Sequence, residues 1–232
     1  MIKEKNIKLF LDGPSIDQIK EISNVDGYTF NPSLFKKLGA KDYLEFAKLI
    51  LKETKTLPVS IEVFADDEEG CFRQAKIING LGKNIFVKIP ITYTNGKSTV
   101  KLIERLIKEN IKLNITAIFT INQVKNIIST VKDTKTILSI FSGRLYDVGL
   151  DARKIFKEIS KYCHSNSQCE TLWASCRMPY DILDATECGA DIITMGYEMV
   201  TKLKKFSKSS EDCSLETVKG FYNDAKSSGF KI

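Results

Sequence analysis

Lys88 stands in the middle of Ile85-Phe86-Val87-Lys88-Ile89-Pro90-Ile91, a run that is otherwise apolar and largely β-branched or aromatic. An ammonium there is costly unless it has a partner or loses its proton. A lysine made neutral by burial is a good amine nucleophile for a carbonyl. The alternatives are a snorkelling side chain or a structural ion pair. The company Lys88 keeps decides between them. Two carboxylates close or interrupt similar runs: Asp12 after Lys8-Leu9-Phe10-Leu11, and Glu62 within Pro58-Val59-Ser60-Ile61-Glu62-Val63-Phe64. The only histidine, His164, lies in the polar stretch Cys163 to Ser167 and reads as an exposed loop residue. General acid–base work therefore falls to carboxylates with ordered water.

Such residues must be positioned by a framework. Apolar runs read as strands over 8–12, 27–30, 58–64, 85–91, 112–119, 136–141, 171–177 and 191–196. Helical spacing fills the gaps over 16–22, 34–55, 68–81, 98–109, 122–131, 151–162, 179–188 and from Gly196 to Phe206. A last amphipathic helix covers Leu215 to Lys226. Eight strands alternating with helices in 232 residues predict an α/β fold: a single (β/α)₈ TIM barrel over 1–232 with an extra C-terminal helix. No Pro-, Gly- or Ser-rich linker divides it.

Reactive groups of such barrels sit at the C-terminal ends of the strands. The polar residues there are Asp12, Thr29 with Asn31, Glu62, Lys88, Asn114 with Thr116, Ser139 with Arg144, and Ser175 with Arg177. Seven consecutive strands each contribute. An apolar lining would be less costly than seven separately satisfied structural groups, so a shared site is expected.

Composition narrows the partners. The net charge is +6, from 35 Lys+Arg against 29 Asp+Glu, and the basic residues are dispersed. The densest patch, Lys202, Lys204, Lys205 and Lys208, reads as a solvated helix end, so nucleic acid is not an expected partner. A mild positive excess suits a phosphorylated small substrate. No apolar run reaches the roughly 20 residues of a membrane span. Met1 to Asn6 is charged with no apolar signal segment behind it, so a soluble cytoplasmic protein is expected. Six cysteines without a C-x-x-C pair read as reduced thiols, and no metal site is expected.

Taken in order, these strand ends resemble the transaldolase family over nearly the whole chain. Leu11-Asp12 is similar to the family's first-strand aspartate. Thr29-Phe30-Asn31-Pro32-Ser33 resembles its T-T-N-P-S motif, and Val87-Lys88-Ile89-Pro90 its V-K-[IV]-P strand. Asn114-Ile115-Thr116 is similar to its N-x-T, Ser139 with Gly143-Arg144 and Asp147 to S-x-x-x-G-R-x-x-D, and Ala174-Ser175-Cys176-Arg177 to A-S-[FY]-[RK]. The resemblance implies that Lys88 forms a Schiff base with a ketose phosphate, fructose 6-phosphate or sedoheptulose 7-phosphate. Asp12 would take the C4 hydroxyl proton, and Glu62, with Thr116 and a held water, would shuttle protons. Thr29, Asn31, Asn114, Ser139 and Phe141 would contact the sugar. Arg144, Ser175 and Arg177 would hold the phosphate, leaving Asp147 as a partner within its own loop. No metal or organic cofactor is implied, because the lysine is the electron sink. The pathway implied is the pentose phosphate pathway.

Two branches of the family differ in the fate of the three-carbon unit. Transaldolases pass it to an aldose phosphate; fructose-6-phosphate aldolase-like members release dihydroxyacetone. The latter resemble this chain in length and trailing helix, yet typically carry glutamine at the position of Glu62 and tyrosine at that of Phe141. Both residues therefore point to transfer. Phe30, Ile140 and Cys176 depart from the family pattern and leave the acceptor and the donor's anion open, a sulfonated or otherwise modified ketose included. The closing helix, 215–232, resembles one that packs on a neighbouring subunit in the short members, so a homo-oligomer (a pentamer or decamer, or a dimer) is expected; its stripe of Leu215, Val218, Phe221 and Tyr222 needs a partner surface.

Overall fold

The computed structural model describes residues 7–231; the charged stretch 1–6 lies outside the described residues. Eight strands form in sequence order: β1 (Lys8–Asp12), β2 (Gly27–Phe30), β3 (Val59–Glu62), β4 (Ile85–Pro90), β5 (Leu113–Ile118), β6 (Ile137–Ile140), β7 (Glu170–Trp173) and β8 (Ile192–Met195). All neighbours pair in parallel, and β8 pairs with β1 to close the barrel. Around it lie α1 (Ile16–Glu21), α2 (Pro32–Lys37), α3 (Tyr43–Thr54), α4 (Glu68–Asn79), α5 (Val100–Lys108), α6 (Ile121–Val131), α7 (Ser142–Asp147), α8 (Ala152–Asn166), α9 (Asp181–Glu187), α10 (Tyr197–Lys202) and α11 (Ser210–Ser228). This is the (β/α)₈ barrel that the alternation of runs predicts.

The period of two along each strand sorts its side chains. Leu11, Ile61, Val87, Ile89, Ile115, Leu138 and Ile193 face outward and are fully buried in the main core beneath the helices. Phe10, Ile137, Leu172, Ala174 and Ile192 face inward and form a second cluster with Phe86 and Phe141, plugging the barrel. Phe10 fits because its register partner on β2 is Gly27, where a Cβ would lie 2.6 Å from the ring. The helices begin where caps satisfy their free N–H groups. Ser15 with Gln18, and Thr120 with Gln123, form capping boxes; Asn31 and Asp67 cap α2 and α4.

Five elements differ from the reading of the sequence. The strand expected over 171–177 ends at Trp173, so Ser175, Cys176 and Arg177 follow it rather than lie in it. The helix expected over 34–55 is two, because α2 stops at Lys37, Gly39 takes a left-handed φ of 82°, and Asp42 caps a fresh start at α3. Ser142, Gly143 and Arg144, expected at the end of the sixth strand, form the first turn of α7. His164 is not in a loop: α8 runs on to Asn166 because Cys163 packs in the core, and the imidazole Nε2 lies 2.8 Å from Asp191. The final helix starts five residues earlier than Leu215, at Ser210, where Ser209 caps it. None of the residues of α11 is buried, and Leu215, Val218, Phe221 and Tyr222 are exposed. No helix among the described residues is long and apolar enough to cross a membrane.

Candidate active site

Register brings the charged groups together. Glu62 on β3 is the Cα partner of Lys88 on β4, so the pleat points both inward at one level. Lys88 Nζ and Glu62 Oε2 lie 3.1 Å apart, with the lysine only 6% exposed. Of the two ways to tolerate this amine in an apolar strand, the fold supplies the partner. Tyr43 donates its hydroxyl hydrogen to the Glu62 carbonyl at 2.6 Å and fixes the end of β3.

A second polar group forms at the β8–β1–β2 seam. Asp12 and Thr29 are register partners, and Thr29 Oγ1 donates to Asp12 Oδ1 at 2.7 Å. Thr194, from β8, lies 2.6 Å from the same Thr29 oxygen. Burial pushes the Asp12 carboxyl above its ordinary range; the Lys88 charge and the Thr29 hydrogen bond oppose that rise. On β5 and β6 the Asn114 amide is pinned at both ends, donating to Ser60 Oγ at 3.0 Å and accepting from Ser139 Oγ at 2.6 Å. The hydroxyl of Thr116 is buried and has no hydrogen-bond partner among the described residues. Next to it Ala117 adopts φ 60°, where the β5–β6 register shifts.

The far wall is built on a close backbone approach. A Cβ at Gly143 would sit 1.6 Å from the Ser175 carbonyl oxygen, so only glycine lets α7 meet the segment after β7. Arg144 follows it, with its guanidinium 5.2 Å from the centre of the Phe141 ring, a cation–π arrangement. Ser175 takes a left-handed φ of 65°. Arg177 donates from Nη1 to the Ser175 carbonyl and hydroxyl at 3.0 and 3.1 Å, and from Nε to Asp147 at 2.7 Å, with a second ion-pair contact from Nη2. That pair holds Asp147 below the usual carboxylate range.

These groups surround a cavity of about 180 Å³ at the C-terminal mouth of the barrel. Asp12, Thr29, Asn31, Lys88, Ser139, Phe141, Arg144 and Ser175 line it. Glu62 stands behind Lys88, and Asn114 behind Ser139. Thr116 and Arg177 do not line it; the guanidinium of Arg177 is turned onto Asp147. A larger groove of about 780 Å³ runs along Leu9, Val25, Val200 and Leu203 with Glu21, Asp26 and Lys204, and neither Lys88, Asp12 nor Glu62 lines it. Among the described residues no group of three or more His, Cys, Asp or Glu side chains could hold a metal ion.

A family model described as Transaldolase/Fructose-6-phosphate aldolase matches residues 9–232. The chain belongs to this family of enzymes. Probable transaldolases of Methanococcus vannielii and Thermoanaerobacter sp. are similar to it. The first is 37% identical over 214 residues, covering 90% of this chain and 94% of the relative. The second is 34% identical over 230 residues, covering 97% and 100%. Among solved structures, a mutant mandelate oxidase with an FMN adduct superposes at a TM-score of 0.57 with 14% identity, over 79% of this chain and 58% of that one. Thiamine phosphate pyrophosphorylase from Pyrococcus furiosus does so at 0.56 with 9% identity, over 83% and 87%. At that identity the likeness is one of barrel fold alone.

This transaldolase-family barrel also brings to the candidate site polar side chains beyond those that the motifs suggest. Thr194 lines the cavity from the eighth strand, and Ser60 anchors Asn114. Both could have been found as lone hydroxyls in apolar runs, Ile193-Thr194-Met195 and Val59-Ser60-Ile61, at inward parity. Asp147 pairs across 30 residues with Arg177 rather than within its own loop, a contact that sequence spacing does not reveal.

Proposed function

We propose that the protein is a transaldolase working through a Schiff base on Lys88. It would transfer a dihydroxyacetone unit from a ketose phosphate, fructose 6-phosphate or sedoheptulose 7-phosphate, to an aldose phosphate, as in the pentose phosphate pathway. One observation carries this reading: the Lys88 amine is buried in the barrel wall, faces the cavity, and has one carboxylate at its nitrogen and another on the same rim.

Glu62 takes a proton from the Lys88 ammonium, and the freed Nζ attacks the C2 ketone. A second proton passes from the nitrogen to the carbinolamine oxygen, and Glu62, through a water that the Thr116 hydroxyl would hold, returns the first to the same oxygen, which departs as water. The resulting iminium accepts the electron pair of the C3–C4 bond as Asp12 takes the C4 hydroxyl proton, and an aldose phosphate leaves. The enamine then attacks the incoming aldehyde, Asp12 gives its proton back to the new alkoxide, and water hydrolyses the imine. Asn31, Asn114 and Ser139 bind the hydroxyls of the retained unit. Arg144, Ser175 and Arg177 bind the phosphate, for which a guanidinium fork is suited. Lysine supplies the electron sink, so the reaction calls for no metal or organic cofactor.

Release of free dihydroxyacetone is the rival outcome. Phe141 disfavours it, because a phenyl ring on the cavity wall cannot supply the acid that a tyrosine would. Product analysis with fructose 6-phosphate, with and without erythrose 4-phosphate, separates the two. Transfer predicts sedoheptulose 7-phosphate and almost no turnover without acceptor; equal cleavage without acceptor would favour the aldolase. A panel with sulfonated ketoses tests the anion on the donor. The exposed stripe of α11 supports a homo-oligomer in which this helix packs on a neighbouring barrel, and sedimentation of a chain ending before Ser210 checks that.

A further inference from the structure

Thr194 has no place in any motif that points to this chemistry, yet the residue is buried on the cavity wall, and among the described residues its hydroxyl has one side-chain partner, Thr29. The hydrogen count fixes the direction of the contacts. Thr29 has a single hydroxyl hydrogen. A carboxylate only accepts, so with Asp12 ionised that hydrogen goes to Asp12 Oδ1, 2.7 Å away. The Thr29 oxygen must then accept, and Thr194, 2.6 Å away, must donate. The chain Thr194→Thr29→Asp12 therefore has one orientation when Asp12 is a base, and each bond polarises the next. Asp12 Oδ2 accepts no hydrogen bond among the described residues, which leaves that oxygen for a substrate hydroxyl. The strand end is itself tied down, since the Cys176 thiol donates to the Thr194 carbonyl at 3.2 Å.

We propose that Thr194 is a positioning residue for the base of this reaction: by donating through Thr29 it keeps Asp12 ionised and commits Oδ1, so that Oδ2 faces the substrate. This rests on the reading of Asp12 as the base. Burial works against the ionised form, so the relay offsets part of a penalty that is already present. The other titratable groups around the cavity are Lys88 on β4 with Glu62 on β3 behind it, Arg144 on α7, and Cys176 after β7. Lys88 also favours the carboxylate but does not donate to it.

The test compares Thr194→Val, which keeps shape and removes the donor, with Thr194→Ser, which keeps the donor and removes a methyl group. A carbon-13 titration of side-chain carboxyls, with Asp12 assigned by its loss in Asp12→Asn, reads the group without turnover. The valine variant is expected to raise the Asp12 midpoint by roughly half a pH unit to one unit, the effect of about one hydrogen bond. The acid limb of its kcat profile should move by the same amount. Serine should leave the midpoint at the wild-type value. If valine does not fold, Thr194→Ala removes the same donor. An unmoved midpoint in the donor-less variant, or an equal shift in the serine variant, overturns the proposal. The two readings fail separately. A moved midpoint in a protein without any ketose turnover would refute the transaldolase reading alone; an unmoved one in an active protein would refute the role of Thr194 alone.

Discussion

The inside of the barrel has two storeys built from the same inward positions of the same strands. On the lower one stand Phe10, Phe86, Ile137, Leu172 and Ile192, a plug of large apolar side chains. Two residues further along each strand stand Asp12, Lys88, Ser139, Ala174 and Thr194, four polar and one small. A step of two keeps the side chain on the same face and lifts it by about 6.6 Å. One backbone pattern thus serves stability below and chemistry above, and only side-chain type separates them. The plug also lowers the effective dielectric beneath the polar ring, which raises the energetic weight of each charge and hydrogen bond there.

If the division holds, substitutions on the two storeys fail in different ways. The largest effect belongs to the upper one. Lys88→Met should fold and lose turnover by a factor on the order of 10⁴ or more; a steady-state assay with far-ultraviolet circular dichroism checks both, and activity within a hundredfold of wild type would break the division. Asp12→Asn should cost about 10² to 10⁴ in kcat while stabilising the fold. The folded chain holds the Asp12 proton more tightly than the unfolded chain does, so ionising it costs stability once the pH passes the unfolded value. The melting temperature of Asp12→Asn should therefore exceed that of wild type at pH 7, and the gain should vanish as pH falls below about 4. A gain that persisted in acid would rule out this origin.

The lower storey should show the reverse. Phe10→Ala opens a cavity in the plug and should cost about 3–5 kcal/mol of stability, read by chemical denaturation. Its turnover at low temperature should stay within a few-fold. The smallest effect is expected at the rim, where Asp147 and Arg177 are both partly exposed. Asp147→Asn should raise KM for a phosphorylated ketose by about two- to fivefold through looser positioning of Arg177, with kcat little changed, in keeping with the modest strength of exposed ion pairs.

The upper storey was readable in sequence because strand ends there break an apolar pattern: a lysine between Val87 and Ile89, or a carboxylate after Leu11, stands out wherever it falls. The barrel was readable for the same reason, since apolar runs alternate with helical spacing eight times. What stayed hidden depends on contacts between distant segments. The Thr194–Thr29 bond joins residues 165 apart, and the Arg177–Asp147 pair joins residues 30 apart. Thr194 is an ordinary strand residue until the closing of β8 on β1 sets it beside Thr29. The break between α2 and α3 was missed because the apolar spacing carries on through Gly39, whose left-handed conformation overrides it. The helix at α7 is hidden because Ser142, Gly143 and Arg144 read as the end of the sixth strand, and Gly143 is there for a close approach to Ser175.

The central claim is that the Lys88 amine bonds covalently to the ketose. Intact mass and peptide mapping after mixing the protein with fructose 6-phosphate and borohydride test it directly, since reduction fixes a Schiff base as a stable amine. The account predicts a single three-carbon adduct on the peptide containing Lys88, absent from Lys88→Met, with activity lost in step with labelling. Turnover that continues in borohydride with no mass gain, or an adduct on another lysine, would contradict it.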